Sequence, residues 1–285
     1  MSTAVPPTTR TGRQHPVSWG ADPYADALRN GRGPLFLRRS DGWLLPLEVE
    51  RWCARADAAD LSALRRCEGA VLDIGCGPGR LVAALLARGR RALGIDVSAA
   101  AVARTLATGG AAVHRSVFDS LPGEGSWGTA LLLDGNIGIG GDPRALLARS
   151  AELVDRGGLL IVETTPADVD EQVRVRVEGG HHAPGGAPRS PDDTFPWARV
   201  GTPALLRYAA QAGWAPAEQW TVTGQADQLP GAERCFVSLR LRAALRSRGG
   251  SVRHSSHRAD SAHSPAVSSS QRARNTPPGS PVPAS

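Results

Sequence analysis

An acidic residue and three alternate glycines, Asp73, Gly75, Gly77 and Gly79, follow the start of an apolar run at Val71. Glycine has no Cβ, so its backbone adopts positive φ angles and lets a ligand approach closely. A helix that begins directly after such glycines presents unpaired N–H groups and the positive end of its dipole to that ligand. The spacing therefore predicts a cofactor-binding loop that accommodates a carboxylate or phosphate.

A second acidic residue, Asp96, ends the next apolar run of the chain, residues 91–98. A carboxylate at the end of such a strand can accept hydrogen bonds from both hydroxyls of a ribose, so we predict that Asp96 binds ribose. The dinucleotide fingerprint G-x-G-x-x-G requires a glycine where this chain has Arg80, which argues against NAD.

With these two motifs the chain resembles the class I S-adenosylmethionine-dependent methyltransferases, well over residues 65–165 and more loosely to about residue 242. The resemblance implies an α/β fold: a three-layer, Rossmann-like structure with a seven-stranded, mostly parallel sheet and an antiparallel C-terminal strand pair. It also implies S-adenosyl-L-methionine as the cofactor and S-adenosyl-L-homocysteine as the product. The cofactor-binding residues that we predict on this basis are Asp73, Gly75, Cys76, Gly77, Gly79, Asp96, Val97, Val117, Phe118, Asp119 and Asp134.

Further apolar runs of strand length keep the order of that family. The predicted strands are residues 112–119, 129–134, 159–163, 218–223 and 234–241. Helices are predicted from Asp142 and from Thr202, because each can cap a helix and is followed by a proline. The last two strands form the antiparallel pair. The others form a parallel sheet that is buried on both faces and binds ligands at the carboxyl ends of its strands.

The loops after the third and fourth predicted strands carry the remaining predicted contacts. Asp119 stands where the resemblance implies contact with the adenine amino group, and Val117 and Phe118 are expected to flank the base. Residues 135–141, which include four glycines besides Asn136, predict a flexible turn near the substrate. His114, in the third strand, is predicted to be a buried core histidine.

The chain is predicted to hold one methyltransferase domain, residues 17–245, between two disordered ends, 1–16 and 246–285, because these ends have few large apolar groups. Within the domain we predict an N-terminal cap (17–66), the cofactor-binding core (67–165), a lid insertion (166–200) and a C-terminal helix and strand pair (201–245). Inside the lid, residues 173–177 alternate as an edge strand. The serine- and proline-rich tail from residue 246 has six arginines and one aspartate, so it carries +5 of the formal net charge of +6.

The resemblance implies an in-line attack of an acceptor lone pair on the sulfonium methyl group, catalysed mainly by positioning. An acceptor that must lose a proton would need a general base, for which Asp134, His181 and His182 are the candidates. Residues 134–137 read Asp-Gly-Asn-Ile, which lacks the Asn/Asp-Pro-Pro-aromatic tetrad of adenine-N6, cytosine-N4 and glutamine-N5 methyltransferases. We therefore favour a small-molecule acceptor that is methylated on O, N, S or C, and expect no metal.

Several residues also have purely structural interpretations. Asp73 could only brace the glycine turn, Asp96 could cap the next helix although Ser98 is better placed, and Asp119 could belong to an ordinary turn. The N-terminal aromatic residues Trp19, Tyr24, Trp43 and Trp52 could cover the cofactor and shape the acceptor pocket, or pack an extra helix against the sheet.

Composition leaves other functions open. An RNA or protein methyltransferase, an NAD-binding oxidoreductase and a noncatalytic nucleotide-binding protein remain alternatives, and the basic tail could contact nucleic acid nonspecifically. The sequence has no run of about 20 apolar residues and no apolar leader, so we expect a cytoplasmic protein without membrane association. Its four cysteines lack metal-binding spacing and are expected to stay thiols.

Overall fold

The computed structural model describes residues 23–179, 194–223 and 233–242, all within one compact unit, Met1–Ala244. The two ends predicted to be disordered, Trp19, and the candidate bases His181 and His182 lie outside the described residues. None of the helices in these three ranges is long and apolar enough to cross a membrane.

The described residues alternate strands and helices along most of the chain. The strands are β1 (Leu35–Arg39), β2 (Leu44–Pro46), β3 (Val71–Ile74), β4 (Ala92–Asp96), β5 (Ala112–His114), β6 (Trp127–Leu132), β7 (Val154–Thr164), β8 (Asp170–Gly179), β9 (Phe195–Val200), β10 (Trp214–Thr223) and β11 (Glu233–Leu241). The helices are α1 (Pro23–Asn30), α2 (Val49–Cys53), α3 (Ala58–Leu64), α4 (Arg80–Leu86), α5 (Ala99–Ala107), α6 (Pro143–Leu153) and α7 (Thr202–Gln211), with a 3-10 turn at Asn136–Gly138.

Seven of the strands form the main sheet, in the order β10-β11-β7-β6-β3-β4-β5. The strands from β7 to β5 run parallel, whereas β11 is antiparallel to β7 and β10 is antiparallel to β11. The order reverses beside β3, where β4 lies on one side and β6 on the other, so the crevice for a ligand opens at its carboxyl end. The predicted fold class, with its seven strands and antiparallel C-terminal pair, is confirmed.

Helices cover both faces of this sheet and bury its central strands. On one face α6 and α7 pack over the sheet through residues such as Leu146 and Leu205. On the other face α3, α4 and α5 pack through residues such as Leu64 and Leu85. Every residue of β6 is buried, as a parallel strand between two helical layers requires. These three layers fix the carboxyl ends of β3, β4 and β6 side by side.

The structure corrects the predicted extent of two strands. The third strand ends at His114, not at Asp119, and the following residues turn away from the sheet. Because β5 is the edge strand of the main sheet, His114 is exposed at its end, and the prediction of a buried core histidine is wrong. The fifth strand begins at Val154, directly after α6, because Val154 already pairs with Trp127 of β6.

A second sheet, in the order β2-β1-β8-β9, is entirely antiparallel, and we call it the cap sheet. It joins the predicted N-terminal cap to the predicted lid insertion, since Leu37 of β1 pairs with Val177 of β8. The predicted edge strand is therefore wrong in one respect: β8 has partners on both sides. The apolar residues of β8 pack with Leu28 of α1 and Phe195 of β9 in a separate hydrophobic cluster.

Candidate functional site

A cavity of about 290 Å³ opens at the carboxyl ends of β3 and β4, where the main sheet meets the cap sheet. One part of its lining comes from the glycine loop and the ends of β4 and β5. The other part comes from α1, α2, the cap sheet and the loop after β6. The described lining residues are Tyr24, Leu37, Leu47, Trp52, Ile74, Gly75, Cys76, Gly77, Pro78, Arg80, Ile95, Asp96, Val97, Arg115, Ser116, Val117, Phe118, Asp134, Asn136, Ile139, Gly140, Phe195, Pro196 and Trp197.

The glycine loop is held against β4 and α5 by backbone contacts. Gly75 and Cys76 both donate from their N–H groups to the Ile95 carbonyl, at 2.8 and 3.0 Å. Gly79 has φ +87°, and a Cβ there would lie 2.5 Å from the Thr105 side chain. A side chain at this position would therefore push α5 away from the loop, so the sequence requires glycine here for packing as well as for backbone conformation.

Asp96 lies at the end of β4 beside this loop and is 8% exposed. Its carboxylate accepts hydrogen bonds from the N–H groups of Gly77, at 2.9 Å, and Ser98, at 2.8 Å. Ser98 is the residue that caps α5. Burial raises the pKa of Asp96, and the two backbone hydrogen bonds oppose that shift. Each carboxylate oxygen keeps a lone pair for another donor, such as a ribose hydroxyl.

Asp73 is buried behind the glycine loop, with 1% exposure, and its Oδ2 atom has no hydrogen-bond partner among the described residues. The turn is instead held by Asn136, whose side-chain amide donates to the carbonyls of Ile74 and Gly75, at 2.9 and 3.0 Å. Asn136 thus braces the glycine turn, a role that the sequence analysis missed. The only sequence signal for it was its position two residues after Asp134, at the end of the fourth strand.

The buried Asp73 carboxyl predicts a pH-dependent stability. Burial raises the pKa of Asp73 to about 7, with Arg80 opposing and Asp134, Asp96 and Asp60 adding to the shift. Since this pKa is raised above its unfolded value, the folded protein retains a proton that the unfolded chain has lost, and stability falls as pH rises towards the folded pKa. Asp73→Asn has no such proton, so it should gain about 2 kcal/mol relative to wild type between pH 5.5 and 8.5, at about 1.4 kcal/mol per pKa unit.

Urea denaturation of both proteins at the two pH values measures that gain. The comparison uses the difference between variant and wild type, so the titration of all other groups cancels. An equal stability difference at pH 5.5 and pH 8.5 would show that Asp73 does not titrate in this range.

The loop after β5 brings Val117 and Phe118 into the cavity lining, together with Val97 at the end of β4. Val117 is buried, whereas Phe118 is 46% exposed, and its ring packs against Gly140, where a Cβ would lie 2.8 Å away. Asp119 is not part of the lining; its carboxylate accepts a hydrogen bond from the Ser116 N–H group, as in an ordinary turn. Contact between Asp119 and adenine therefore stays a prediction without geometric support.

Asp134 belongs to a buried charge cluster that the sequence analysis did not foresee. The cluster consists of Arg51, Asp57, Asp60, Arg80, Asp134, Glu163 and Arg234. Arg80 lies at its centre and binds Asp60 on one side, at 2.8 Å, and Asp134 on the other, at 2.6 Å. Asp134 has φ +59° and donates its N–H group to Glu163. Such a left-handed, non-glycine conformation persists only where its surroundings hold it in place.

These contacts make Asp134 unsuitable as the general base. Burial alone would raise the pKa of Asp134, but the charges of Arg80, Arg51 and Arg234 outweigh burial and hold the pKa well below its ordinary value. A carboxylate so stabilised in its ionised form is a weak proton acceptor at neutral pH. Its role in this structure is to bind the arginines and position the loop that carries Asn136.

Two other lining residues have clear electrostatic states. Burial raises the pKa of the Cys76 thiol, so this residue is a small apolar member of the glycine loop. Burial also raises the pKa of Tyr24 well above its ordinary value, which keeps the phenol neutral. In the three described ranges, no group of three or more His, Cys, Asp or Glu side chains is arranged to hold a metal ion.

The cap sheet and the first helices close the other side of the cavity. We call this side the cap-side pocket and define it by Tyr24, Leu37, Leu47, Trp52, Phe195 and Trp197. Trp52 and Tyr24 meet edge to face with their ring centroids 6.3 Å apart, and Phe195 and Trp197 do the same at 6.3 Å. Of the N-terminal aromatic residues, Tyr24 and Trp52 thus line the cavity, whereas Trp43 lies under the guanidinium groups of Arg39 and Arg199.

Comparison with known proteins agrees with this architecture. Residues 71–158 match a family described as a methyltransferase domain. A solved structure of an S-adenosylmethionine-dependent methyltransferase from Bacteroides fragilis, in complex with S-adenosyl-L-homocysteine, is 18% identical, with a TM-score of 0.58 over 77% of this chain and 92% of that chain. No curated protein sequence matches the chain significantly.

A further solved structure concerns the conversion of a disulfide bond into a thioacetal group during echinomycin biosynthesis. Its sequence is 19% identical to that of this chain. Its TM-score is 0.50 over 78% of this chain and 92% of that chain. Identities this low establish the likeness of the fold. Residues 71–158 thus match a methyltransferase domain, and the fold of the described residues is that of a solved S-adenosylmethionine-dependent methyltransferase.

Proposed function

We propose that the protein transfers the methyl group of S-adenosylmethionine to a small-molecule acceptor that binds in the cap-side pocket. The observation that carries this proposal is one continuous cavity whose lining holds the glycine loop and Asp96 on one side and the cap-side pocket on the other. A donor on the loop side and an acceptor on the cap side would share this space. The cap sheet covers the acceptor position, which favours a small molecule over a folded macromolecule.

On the donor side, Asp96 binds the ribose hydroxyls, and Val97, Val117 and Phe118 contact the adenine. The methionine part lies along the Gly75–Gly79 loop, whose glycines leave room for it. Asn136 fixes the carbonyls of Ile74 and Gly75 and so keeps the loop in its binding conformation. The position of these residues in the lining of the cavity supports the roles proposed for them.

In the reaction, a lone pair of the acceptor forms a bond to the methyl carbon while the carbon–sulfur bond breaks. The electron pair of that bond passes to sulfur, which neutralises the sulfonium and leaves S-adenosylhomocysteine. Positioning two reactants in line can contribute about 7–11 kcal/mol, more than a general base supplies. The protein therefore acts mainly by holding donor and acceptor in line, and His181 and His182 stay the candidate bases for an acceptor that carries a proton.

Binding of S-adenosylhomocysteine, measured by calorimetry, tests the donor site. Wild type is expected to bind it with micromolar affinity and not to bind NADH. Asp96→Ala should weaken binding at least roughly 100-fold, because two hydrogen bonds to a charged carboxylate are lost at about 1.5–3 kcal/mol each and about 1.4 kcal/mol corresponds to a factor of ten. Asp155→Ala, at an exposed aspartate of β7 outside the cavity lining, is the matched control and should bind as wild type does.

Asp96→Asn separates the effect of the carboxylate charge from the effect of its hydrogen-bond acceptors. The amide retains one oxygen that can accept from the Gly77 N–H group, but it loses the charge, one ribose acceptor and the acceptor for the Ser98 N–H group. The loss of affinity is therefore expected to be smaller than in Asp96→Ala. Absence of S-adenosylhomocysteine binding by wild type, or a preference for NADH, would overturn the proposed function.

A further inference from the structure

The Asn136 side chain lies against Gly75 and lines the cavity. Its Nδ2 atom donates to the carbonyl oxygens of Ile74 and Gly75, at 2.9 and 3.0 Å. A carbonyl oxygen only accepts hydrogen bonds, so the amide nitrogen of Asn136 must face the loop. These two hydrogen bonds therefore fix the orientation of the amide and direct its Oδ1 atom away from the two carbonyls.

The Oδ1 atom of Asn136 is a hydrogen-bond acceptor that the described residues leave unused. None of them donates a hydrogen bond to it, and it is not one of the unpaired polar atoms that are buried from solvent. Because Asn136 is only half-buried and lines the cavity, a molecule in the cavity can reach this oxygen. An amide oxygen pairs only with a hydrogen-bond donor. The missing partner therefore carries an N–H or O–H group.

The proposed position of the methyl donor limits which of its groups this partner is. Three parts of the donor carry N–H or O–H groups: the adenine, the ribose and the ammonium group of the methionine part. Adenine and ribose are assigned to residues that follow β5 and β4, on one side of β3, whereas Asn136 follows β6 on the other side. The ammonium group belongs to the methionine part along the Gly75–Gly79 loop, and so it is the group nearest to Asn136.

The charge around Asn136 favours a cation at this position. The buried charge cluster has three arginines and four acidic residues, which gives it a formal net charge of −1. Of its members, Arg80 and Asp134 line the cavity, and the Asp134 side chain is 12% exposed against 3% for that of Arg80. A ligand in the cavity therefore meets the carboxylate more than the guanidinium. An ammonium group gains Coulomb energy there that a neutral N–H or O–H group lacks.

We propose that Asn136 Oδ1 accepts a hydrogen bond from the ammonium group of the methyl donor. This inference rests on the proposed function and assigns a side chain to the methionine end of the donor. Asn136 is then a specificity-determining residue, because it favours adenosyl ligands that carry the amino group over those that lack it. One amide thus braces the glycine loop through its nitrogen and binds the donor through its oxygen.

Two ligands separate this contact from the bracing of the loop. They are S-adenosylhomocysteine and desamino-S-adenosylhomocysteine, in which a hydrogen atom replaces the ammonium group, and calorimetry with the full chain measures both dissociation constants. Wild type should bind S-adenosylhomocysteine about tenfold to 100-fold tighter, the range of a hydrogen bond to a charged group. Asn136→Ala should reduce this preference about tenfold. Loss of the brace weakens the binding of both ligands alike, so it leaves their ratio unchanged.

Asn136→Asp retains an oxygen in place of Oδ1 and adds a negative charge, although it loses the brace. Its preference for S-adenosylhomocysteine should be at least as large as that of wild type. Asn30→Ala is the matched control: Asn30 is an exposed asparagine at the end of α1, outside the cavity lining, and its substitution should leave the preference unchanged.

The ratio of the two affinities decides the inference. The same preference in wild type and Asn136→Ala, or loss of the preference in Asn136→Asp, would overturn it while binding of S-adenosylhomocysteine still supports the proposed function. Binding of neither ligand by wild type would overturn the proposed function and this inference with it.

Discussion

Arg80→Met is expected to destabilise the fold by about 3 kcal/mol. Removing one partner of a buried ion pair costs about 3–5 kcal/mol, because the other partner stays buried without compensation. Here Arg80 is 7% exposed and Asp60 is fully buried. The lower end of the range applies because Arg234 still contacts Asp60, at 3.0 Å, and Arg51 still contacts Asp134, at 2.8 Å.

Urea denaturation followed by circular dichroism measures this loss. Arg88→Met is the matched control: Arg88 follows the same helix and is exposed, and its guanidinium donates to the Ala84 carbonyl. Its substitution should change stability by no more than about 0.5 kcal/mol. The double variant Asp60→Asn/Arg80→Met should be more stable than Arg80→Met alone, because it removes the charge of one of the two carboxylates that lost Arg80 as a partner. Equal stability of Arg80→Met and Arg88→Met would mean that the cluster does not stabilise the fold.

Gly75→Ala is expected to weaken S-adenosylhomocysteine binding roughly 100-fold while the protein stays folded. Gly75 has φ +73°, which costs an alanine roughly 1–2 kcal/mol, and its Cβ would lie 2.7 Å from the Asn136 amide nitrogen. That amide would have to leave the two loop carbonyls that it binds. The methyl group would also stand in the cavity that the cofactor is proposed to occupy.

Gly89→Ala is the matched control for this prediction. Gly89 has φ +69° in the turn after α4, and a Cβ there would have no neighbour within 4 Å. The two variants thus share the cost of a positive φ and differ only in what the new methyl group meets. Gly89→Ala should lose stability but bind S-adenosylhomocysteine as wild type does in calorimetry; similar affinities for all three proteins would contradict the proposed position of the methionine part.

The main sheet was predictable because its signals are local. Each strand is a short apolar run, and the sequence from Val71 to Asp96 contains both the glycine loop and the ribose acid. Periodicity, capping residues and glycine spacing within a few residues are enough to recognise these elements. The local signals did not give the bounds of the strands, such as the end of β5 at His114 and the start of β7 at Val154, because pairing with neighbouring strands decides them.

The cap sheet and the buried charge cluster were not predictable from local signals. β1 and β8 are about 140 residues apart in the chain, and Arg38 and Glu178 meet across them. Arg234 likewise reaches Asp57 from a strand 177 residues away. Within each short segment these arginines and acidic residues look like ordinary surface residues. That they form ion pairs follows only from the topology of the folded chain.

Strand β9 packs closely against the loop after β6, and this packing requires two glycines, Gly138 and Gly141. A Cβ on Gly138 would overlap the Ala198 carbonyl oxygen, and one on Gly141 would lie 2.6 Å from the Pro196 side chain. Asn136 belongs to the same loop. These contacts therefore connect β9, which lines the cap-side pocket, to the residue that braces the glycine loop. Substitution of the inward residues of β1 and β9 is therefore expected to reshape the proposed acceptor pocket, whereas substitution of either glycine should disturb the glycine loop as well.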